Sequence, residues 1–517
     1  MKTLSLANRS APHLAITQST RNLRIKPRVY TSVCVNCKLS TSTPDVVVVG
    51  GGIAGLLAAN VFSKQVDKVL LVEKDDINGS VESETFQQTA RRRRGVPHIA
   101  QPHQLVIGAV QALDTLLPNF RAEAIAAGGL DLDLGKHVFY YDYNGYFPRE
   151  VSGLKGLGVS RRFVEERIRD RVLKEGKESG TLEVIGGKVE KFLWEGNDVK
   201  GVKLCENREI HTSLVVDATG RSSDTATKLA EHNLPRPRLV CVNPNVASAS
   251  RIVKMPKDFE KNHDWLLLVC KSQPNGKRGG TLLPTENGRW QVTLAEIGGD
   301  GPENTDEGFL EFAKSLPDQT MYNILKQCEP VTPVMKYLAM RNEMICYHEI
   351  DMPRGLLAIG DSVMRLNALY GQGIGASSQS VVLLKQTLSR ALKDATSESE
   401  RKQVLNTLGA TFQPLLAKNL MPAWNLATKA DLKYPTTTTN VPLDPPSSTD
   451  KLITDTLLTA AQSNAIVYHR LLEVAHLTAP PSKLFTDART WVPLMRAAAQ
   501  QVASPADASR IAKTTAK

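Results

Sequence analysis

Residues 45–75 read DVVVVGGGIAGLLAANVFSKQVDKVLLVEKD, and no other stretch of the chain limits its fold as tightly. Val46–Val49 has the length and apolar character of a strand buried on both faces. Gly50, Gly52 and Gly55 follow in G-x-G-x-x-G spacing and open an apolar helix. A second Val/Leu run then ends at Glu73, 18 residues past Gly55. Each part has a mechanical reason: Gly50 permits the tight turn, Gly52 lets backbone approach a pyrophosphate, and Gly55 lets helix and strand pack closely. Free N–H groups at the helix N-terminus, from Ile53 and Ala54 onward, bind phosphate oxygens. Glu73, with Lys74 beside it, falls where an acid accepts the hydroxyls of an adenosine ribose; its charge disfavours a 2′-phosphate, and hence NADP. The segment therefore predicts dinucleotide binding and leaves FAD and NAD unseparated.

The chain has 517 residues, enough for two or three domains. Its net charge of +11 invites a nucleic-acid reading, but seven of the basic residues lie in positions 1–44, which hold no acid, leaving +4 for the rest. That leader is rich in Ser, Thr, Arg and Ala and has no apolar core segment, the composition of an organelle transit peptide. Hydroxyl residues outnumber arginines, which favours a chloroplast over a mitochondrion. Cys34 and Cys37 form a C-x-x-C within this leader and read as incidental. Cys205, Cys241, Cys270, Cys328 and Cys346 are scattered and read as reduced structural thiols. No apolar run is long enough for a transmembrane helix.

Along the chain, residues 136–148 (HVFYYDYNGYF and flanks) suggest a hairpin, and 160–175 an amphipathic helix. Strand and turn signals alternate from 181 to 217, ending in a buried strand at 213–217. Residues 235–347 read as a separate antiparallel sheet interrupted by a helix at 306–316. A buried strand at 356–359 returns to the first domain, followed by helices at 374–393 and 402–418. A Pro/Thr/Ser-rich linker, 434–448, leads into a helical C-terminal part. The expected organisation is a disordered leader (1–43), a Rossmann-like α/β domain (44–234 and 348–395), a substrate domain (235–347), a helical region (396–503) and a frayed tail (504–517).

Two further stretches favour FAD. Val215–Ser223 is an apolar strand ending in the small-residue turn Ala218-Thr219-Gly220. Ile359-Gly360-Asp361-Ser362 ends a buried strand with a carboxylate suited to a ribose or ribityl polyol. Then Gly371, Gln372, Gly373 and Ile374 open a long helix, whose N-terminus can stabilise negative charge on a reduced flavin ring. With these pieces the chain resembles the FAD-dependent oxidoreductases of the para-hydroxybenzoate hydroxylase-like (group A flavoprotein monooxygenase) superfamily, and within it a branch marked by R-x-G-V-P. The resemblance spans about residues 45–500. It rests on the fingerprint, Arg93-Arg-Gly-Val-Pro97, Gly158-Val-Ser-Arg161 with Glu165 and Arg169, Asp217–Ser222, Glu307–Ala313, the Gly-Asp and Tyr-Gly-Gln-Gly pieces, and Trp424–Thr428 with Asp431.

The resemblance implies a Rossmann-like FAD domain of the glutathione-reductase type roofed by an antiparallel substrate sheet. It places the ADP half of FAD on Gly50, Gly52, Gly55 and Glu73. Arg161 contacts the FAD, Asp361 its ribose or ribityl part, and Gly371–Gly373 the isoalloxazine, with Ala218, Gly220 and Gly360 lining the turns between. Arg94 or Arg93 faces the flavin. The departures are Thr219-Gly220 where the superfamily often has Asp-Gly, which opens the question of the electron donor; His98-Ile-Ala-Gln-Pro-His103 after the G-V-P; and Leu366-Asn367-Ala368 after the Gly-Asp strand.

No metal-site or nucleophile-elbow motif is present, so no metal is expected. His98, His103 and Tyr370 are weak catalytic candidates: surface or capping histidines and a packed tyrosine in the bland reading, a general acid or hydrogen-bond donor in the sharp one. A monooxygenase is the leading expectation, with FAD bound, NAD(P)H as a transient donor, and an apolar aromatic or isoprenoid substrate hydroxylated or epoxidised through a flavin C4a-hydroperoxide. An isoprenoid reductase, desaturase or cyclase of the geranylgeranyl reductase/lycopene cyclase kind is the alternative, and a flavin-binding protein without turnover the third. Partners are expected to be the small apolar substrate and peripheral contact with a plastid membrane, with no nucleic acid; oligomeric state stays open.

Overall fold

A computed structural model describes residues 43–77, 86–96, 99, 105–142, 145–271 and 276–502. Five strands form a parallel sheet in the order Leu356–Ala358, Leu214–Asp217, Val46–Val49, Val69–Glu73 and Leu182–Gly186. Packed elements cover the sheet, which is why these strands are apolar throughout: Val46, Val47 and Val48 are fully buried, as are Leu70 and Leu71, in one core with Leu56 and Ile168 of two helices and with Phe192 and Val202 of a smaller sheet. The glycine-rich turn carries the first strand into helix Ile53–Ser63, which packs against helices Arg161–Ser179 and Gly373–Ala391. The fold is thus the Rossmann-like α/β architecture expected, with a three-stranded antiparallel sheet (Val189–Glu195, Asp198–Leu204, Glu209–His211) beside it.

A second, ten-stranded sheet forms the roof. Its centre is the strand Leu239–Lys254, flanked by Met335–Ile345 and Arg289–Ile297, both antiparallel to it. Four of its strands come from outside 235–347: Val138–Asp142, Gly145–Tyr146, Met364–Arg365 and Thr438–Thr439. Val138–Asp142 pairs parallel with Leu267–Cys270 and turns back through Gly145–Tyr146, so the expected hairpin belongs to the roof and not to the first domain. Thr438–Thr439, in the stretch read as a linker, pairs with Val242–Asn243. Backbone pairing is set by which edges tertiary packing brings together, and a short polar segment carries no pattern that announces it.

The helix read at 402–418 runs from Glu398 to Asp431. A Ser397–Glu400 capping box starts it, and Pro414 and Pro422 lie inside. Each proline removes a ladder hydrogen bond and normally shortens a helix. Burial of Leu416, Leu420, Ala423 and Trp424 against the parallel-sheet core carries this one through both.

Four apolar cores occur among the described residues, the smallest gathering Val246, Ala295, Ile297, Met340 and Tyr434. One surrounds the parallel sheet; a second, under the roof, gathers Phe259, Trp265, Trp290, Phe309 and Phe312. The third joins Val138, Phe147, Leu267 and Leu283 to Ala460, Val467, Tyr468 and Leu472, so the C-terminal helices close one end of the roof. No helix among the described residues is long and apolar enough to cross a membrane. Cys205, Cys241, Cys270, Cys328 and Cys346 are unbridged, and burial pushes the Cys270 thiol up to about 12. Trp290 is almost fully buried at the centre of the roof core. Trp290→Ala is expected to cost about 3–5 kcal/mol, read as a lower denaturant midpoint by far-ultraviolet circular dichroism.

Candidate functional site

One continuous cavity of about 690 Å³ runs from the glycine-rich turn, along the edge of the parallel sheet, to a chamber beneath the roof and the C-terminal helices. Its volume falls in the range of cofactor and small-molecule sites, roughly 300–1,000 Å³.

At its first end, Gly50 has φ +109°, and a Cβ there would lie 2.4 Å from the Ala218 carbonyl oxygen. A Cβ on Gly55 would lie 1.8 Å from the Gly50 carbonyl oxygen, so only glycine lets the helix start where it does. Gly52 differs: nothing lies within 4 Å of where its Cβ would be, and the residue lines the cavity. Glu73 ends the second strand and also lines the cavity. Its Oε2 accepts a short hydrogen bond from the Gly51 N–H, and its Oε1 accepts from the Asp75 N–H at 2.8 Å. A carboxylate has about four acceptor positions, so ribose hydroxyls can still be received.

Behind this turn lies a buried charge cluster. Arg93, 2% exposed, places its guanidinium 2.7 Å from Glu165, 3.6 Å from Glu73 and 3.8 Å from Asp75, and donates to the Gly51 carbonyl at 3.1 Å. Glu165 also pairs with Arg161 at 2.8 Å. Burial pushes the Glu165 carboxyl up, but Arg161 and Arg93 outweigh it and hold Glu165 below the usual carboxylate range. Burial likewise opposes the Arg93 charge, and Glu165, Glu73 and Asp75 raise it nonetheless. Arg161 is the first residue of its helix, capped by Ser160, whose own hydroxyl is anchored on Glu286 at 2.6 Å. Arg161 lines the cavity, and its Nη1 is buried without a hydrogen-bond partner among the described residues.

Midway, Asp217 holds the two downstream turns together. Its Oδ1 accepts from the Thr219 N–H and hydroxyl and from Ser362 Oγ at 3.1 Å, while Ser362 Oγ accepts from the Gly220 N–H at 2.8 Å. Its Oδ2 accepts from Ser223 and Thr225. Asp361 lines the cavity beside this junction. Burial raises its carboxyl, with Arg221, Arg365 and Arg161 pulling it back. Gly371, Gln372, Gly373 and Ile374 then present the N-terminus of the 19-residue helix Gly373–Ala391 to the cavity. Gln372 is buried, its Oε1 unpartnered, and the Cβ position of Gly373 opens on empty space.

The far chamber is aromatic, with Tyr140, Phe147, Tyr370, Tyr434 and Tyr468 among its walls. Asp431 is fully buried behind it and accepts three hydrogen bonds: from Asn342 and Asn367 at 2.6 Å, and from the Tyr370 hydroxyl at 2.7 Å. Burial pushes its carboxyl up to about 6 despite these donors. His476 also lines the chamber, and burial, aided by the charge on Lys271, pushes it down to about 4, so it is neutral.

Of the residues singled out in sequence, Gly50, Gly52, Ile53, Ala54, Glu73, Lys74, Arg161, Ala218, Gly220, Asp361, Gly371, Gln372, Gly373 and Ile374 line this cavity. Three do not. Arg94 is exposed and turns back to the Arg91 carbonyl; the neighbouring Arg93 lines the cavity instead, because the acids at 73, 75 and 165 pull it inward. Gly55 and Gly360 are packing residues, Gly360 lying where a Cβ would meet Ala54 at 2.6 Å. Tyr370 is at the chamber wall, but its hydroxyl is committed to Asp431, which makes it a positioning residue. His98 and His103 lie outside the described residues. Sequence reasoning gave no role to Asp217, Asn342, Lys271 or His476. Asp217, Asn367 and Asp431 were legible only as fragments of motifs.

Residues 48–108 match a model of NAD(P)-binding Rossmann-like domains. Protein Rv3254 of Mycobacterium tuberculosis (strain ATCC 25618 / H37Rv) is 25% identical over 404 residues, covering 75% of this chain and 80% of its own. Among solved structures, the flavin-dependent brominase Bmp2 superposes with a TM-score of 0.57 at 14% identity, over 89% of this chain and 99% of its own. PqsL of Pseudomonas aeruginosa, described as a probable FAD-dependent monooxygenase, superposes with a TM-score of 0.51 at 14% identity, over 76% of this chain and 98% of its own. The chain shares their fold.

Two outcomes follow from the charge geometry. Arg93→Met removes the cation facing Glu73 and Asp75 and leaves Glu165 only Arg161, and is expected to cost about 3–5 kcal/mol, whereas Arg94→Met leaves the unfolding midpoint within about 0.5 kcal/mol of wild type. Asp431 titrates at about 6 when folded against an ordinary 3.8. The folded state therefore binds more protons between those values, and this group's contribution to stability falls as pH rises from about 4 to about 6. Asp431→Asn is expected to remove that part of the slope in denaturation midpoints measured across this range.

Proposed function

We propose that the chain is an FAD-dependent oxidoreductase and, within that class, a monooxygenase acting on an apolar aromatic or isoprenoid substrate. The observation that carries this reading is the continuity of the cavity. A nucleotide cradle at Gly50–Gly55 and Glu73 opens without interruption onto a helix N-terminus at Gly373 and then onto an aromatic chamber. A cofactor with a nucleotide at one end and a flat redox ring at the other fits that order of parts. The open Cβ positions at Gly52 and Gly373 and the unpartnered Arg161 Nη1 and Gln372 Oε1 are backbone and polar surfaces ready for such a group.

In this reading Glu73 receives the adenosine ribose, the Ile53 helix N-terminus and Arg161 face the pyrophosphate, and Asp361 faces the polyol. The N-terminus of Gly373–Ala391 lies against the ring, where its partial positive charge favours an anion. Bound FAD supplies the electron transfer and oxygen chemistry. The chain's own part is to orient the ring and exclude water, which the C-terminal helices do by packing Tyr468 and Leu472 against the roof. The likeness to a flavin-dependent brominase, Bmp2, and to a probable FAD-dependent monooxygenase, PqsL, supports a flavin enzyme, and NAD(P)H is proposed as the transient electron donor. The acid-free leader supports delivery to a chloroplast, with a mitochondrion as the alternative.

The test is spectroscopic and then kinetic. Residues 44–517, purified and mixed with FAD, are expected to retain a visible flavin band after gel filtration, and NADH or NADPH to bleach it anaerobically. Incubation with candidate aromatic and isoprenoid lipids is expected to yield oxygenated product only in air. Product formation in its absence would replace the monooxygenase with a reductase or cyclase, and no retained flavin would overturn the reading altogether.

A further inference from the structure

Lys271 directly follows the roof strand Leu267–Cys270 and stands in the wall of the chamber. Its ammonium lies over two tyrosine rings of that wall, 5.5 Å from the Tyr140 centroid and 5.8 Å from the Tyr370 centroid. Among the described residues it makes no ion pair within 4.0 Å. Each of these tyrosines donates its hydroxyl to an acid: Tyr140 to Asp142, also in the cavity wall, at 3.3 Å, and Tyr370 to Asp431 at 2.7 Å. The other titratable groups facing it, His476 and Tyr434, offer no negative charge: burial keeps the histidine neutral and holds the Tyr434 phenol up at about 12. Lys271 supplies positive charge to the inner chamber, whose wall it shares with His476 and Tyr434.

A cation in a mostly apolar cavity loses much of its hydration, and the faces of two tyrosines restore only part of it. An anionic ligand group would restore the rest. The same walls, Tyr140, Tyr370 and Tyr434 with Leu267 and Leu283, favour a flat or apolar body.

We propose that this chamber takes an apolar carboxylate, its body packed among Tyr140, Tyr370 and Tyr434 and its carboxylate received by Lys271. Lys271 thus selects for charge in the substrate, and the Asn342–Asn367–Asp431–Tyr370 cluster holds the tyrosine face over which the ammonium sits. This rests on the chamber being the substrate site of the enzyme proposed above.

The test is isothermal titration calorimetry of the full chain, with and without FAD, using cinnamate and its uncharged analogue cinnamyl alcohol. Cinnamate is expected to bind wild type about tenfold or more tightly than the alcohol, the preference of one charge-assisted hydrogen bond. Lys271→Met is expected to abolish the preference and leave alcohol binding unchanged, and Lys271→Arg to keep most of it. Should Lys271→Met not fold, Lys271→Gln is read in its place. Equal binding of acid and alcohol to wild type, no heat from cinnamate, or an undiminished preference in Lys271→Met would overturn the proposal. So would full competition by sodium bromide, which would make the site one for a free inorganic anion. Failure of FAD to bind while cinnamate selectivity persists would count against the flavoenzyme reading and leave Lys271 as the carboxylate receptor.

Discussion

The glycine-turn end of the cavity depends on one buried guanidinium. Arg93 touches the acid that ends the second strand, the acid two residues beyond it, the helix acid Glu165 and the Gly51 carbonyl in the glycine-rich turn. Through Glu165 it is coupled to Arg161, whose remaining donor lies in the cavity wall. Buried ion pairs contribute little net stability, because desolvation offsets much of their attraction. Their effect here is geometric: loop, strand end, turn and helix can meet in only one arrangement if no carboxylate is to be left uncompensated. That arrangement fixes where Glu73 stands and where the helix N–H groups point.

A second lock of the same kind works with hydrogen bonds. Asp217 receives donors from Thr219, Ser223, Thr225 and Ser362, which ties the Ala-Thr-Gly turn to the Gly-Asp turn across the strand edge. A third surrounds Asp431, where residues 342, 367, 370 and 431 converge beneath the chamber floor. The three locks lie in sequence along the cavity. Each is built on buried carboxylates: Glu73 and Asp217 stand in the cavity wall itself, and Asp431 lies behind it. Polar groups hold the shape, and the lining stays largely available to a ligand.

How much of this was legible in the sequence follows from how local each determinant is. The glycine fingerprint, the acid at 73, the Gly-Asp turn and the helix opening at 373 are backbone devices written within a few residues, and they announce themselves. The R-x-G-V-P piece was visible, yet it left Arg93 and Arg94 unseparated. Arg93 and Arg94 are chemically identical, and only the acids contributed by the second strand and a distant helix decide which turns inward. Lys271 gave no signal because a lone lysine after an apolar strand resembles any solvated strand end. The hairpin at 138–146 was legible but its place in the roof was not, and the strand at 438–439 was hidden altogether, because pairing across 100 or more residues leaves no periodic trace. Asn367 and Asp431 were seen as motif fragments without a function, since the function belongs to their convergence.

The central claim is that one extended cofactor occupies this cavity from the glycine turn to the chamber floor. A crystal structure of the chain grown with FAD tests it most directly. The account predicts electron density running from Gly52 to Gly373, with the adenosine ribose at Glu73, the pyrophosphate near Arg161 and the ring against the N-terminus of the Gly373–Ala391 helix. Density confined to the nucleotide end with the ring outside the chamber, or a ribose bound elsewhere than Glu73, would contradict it.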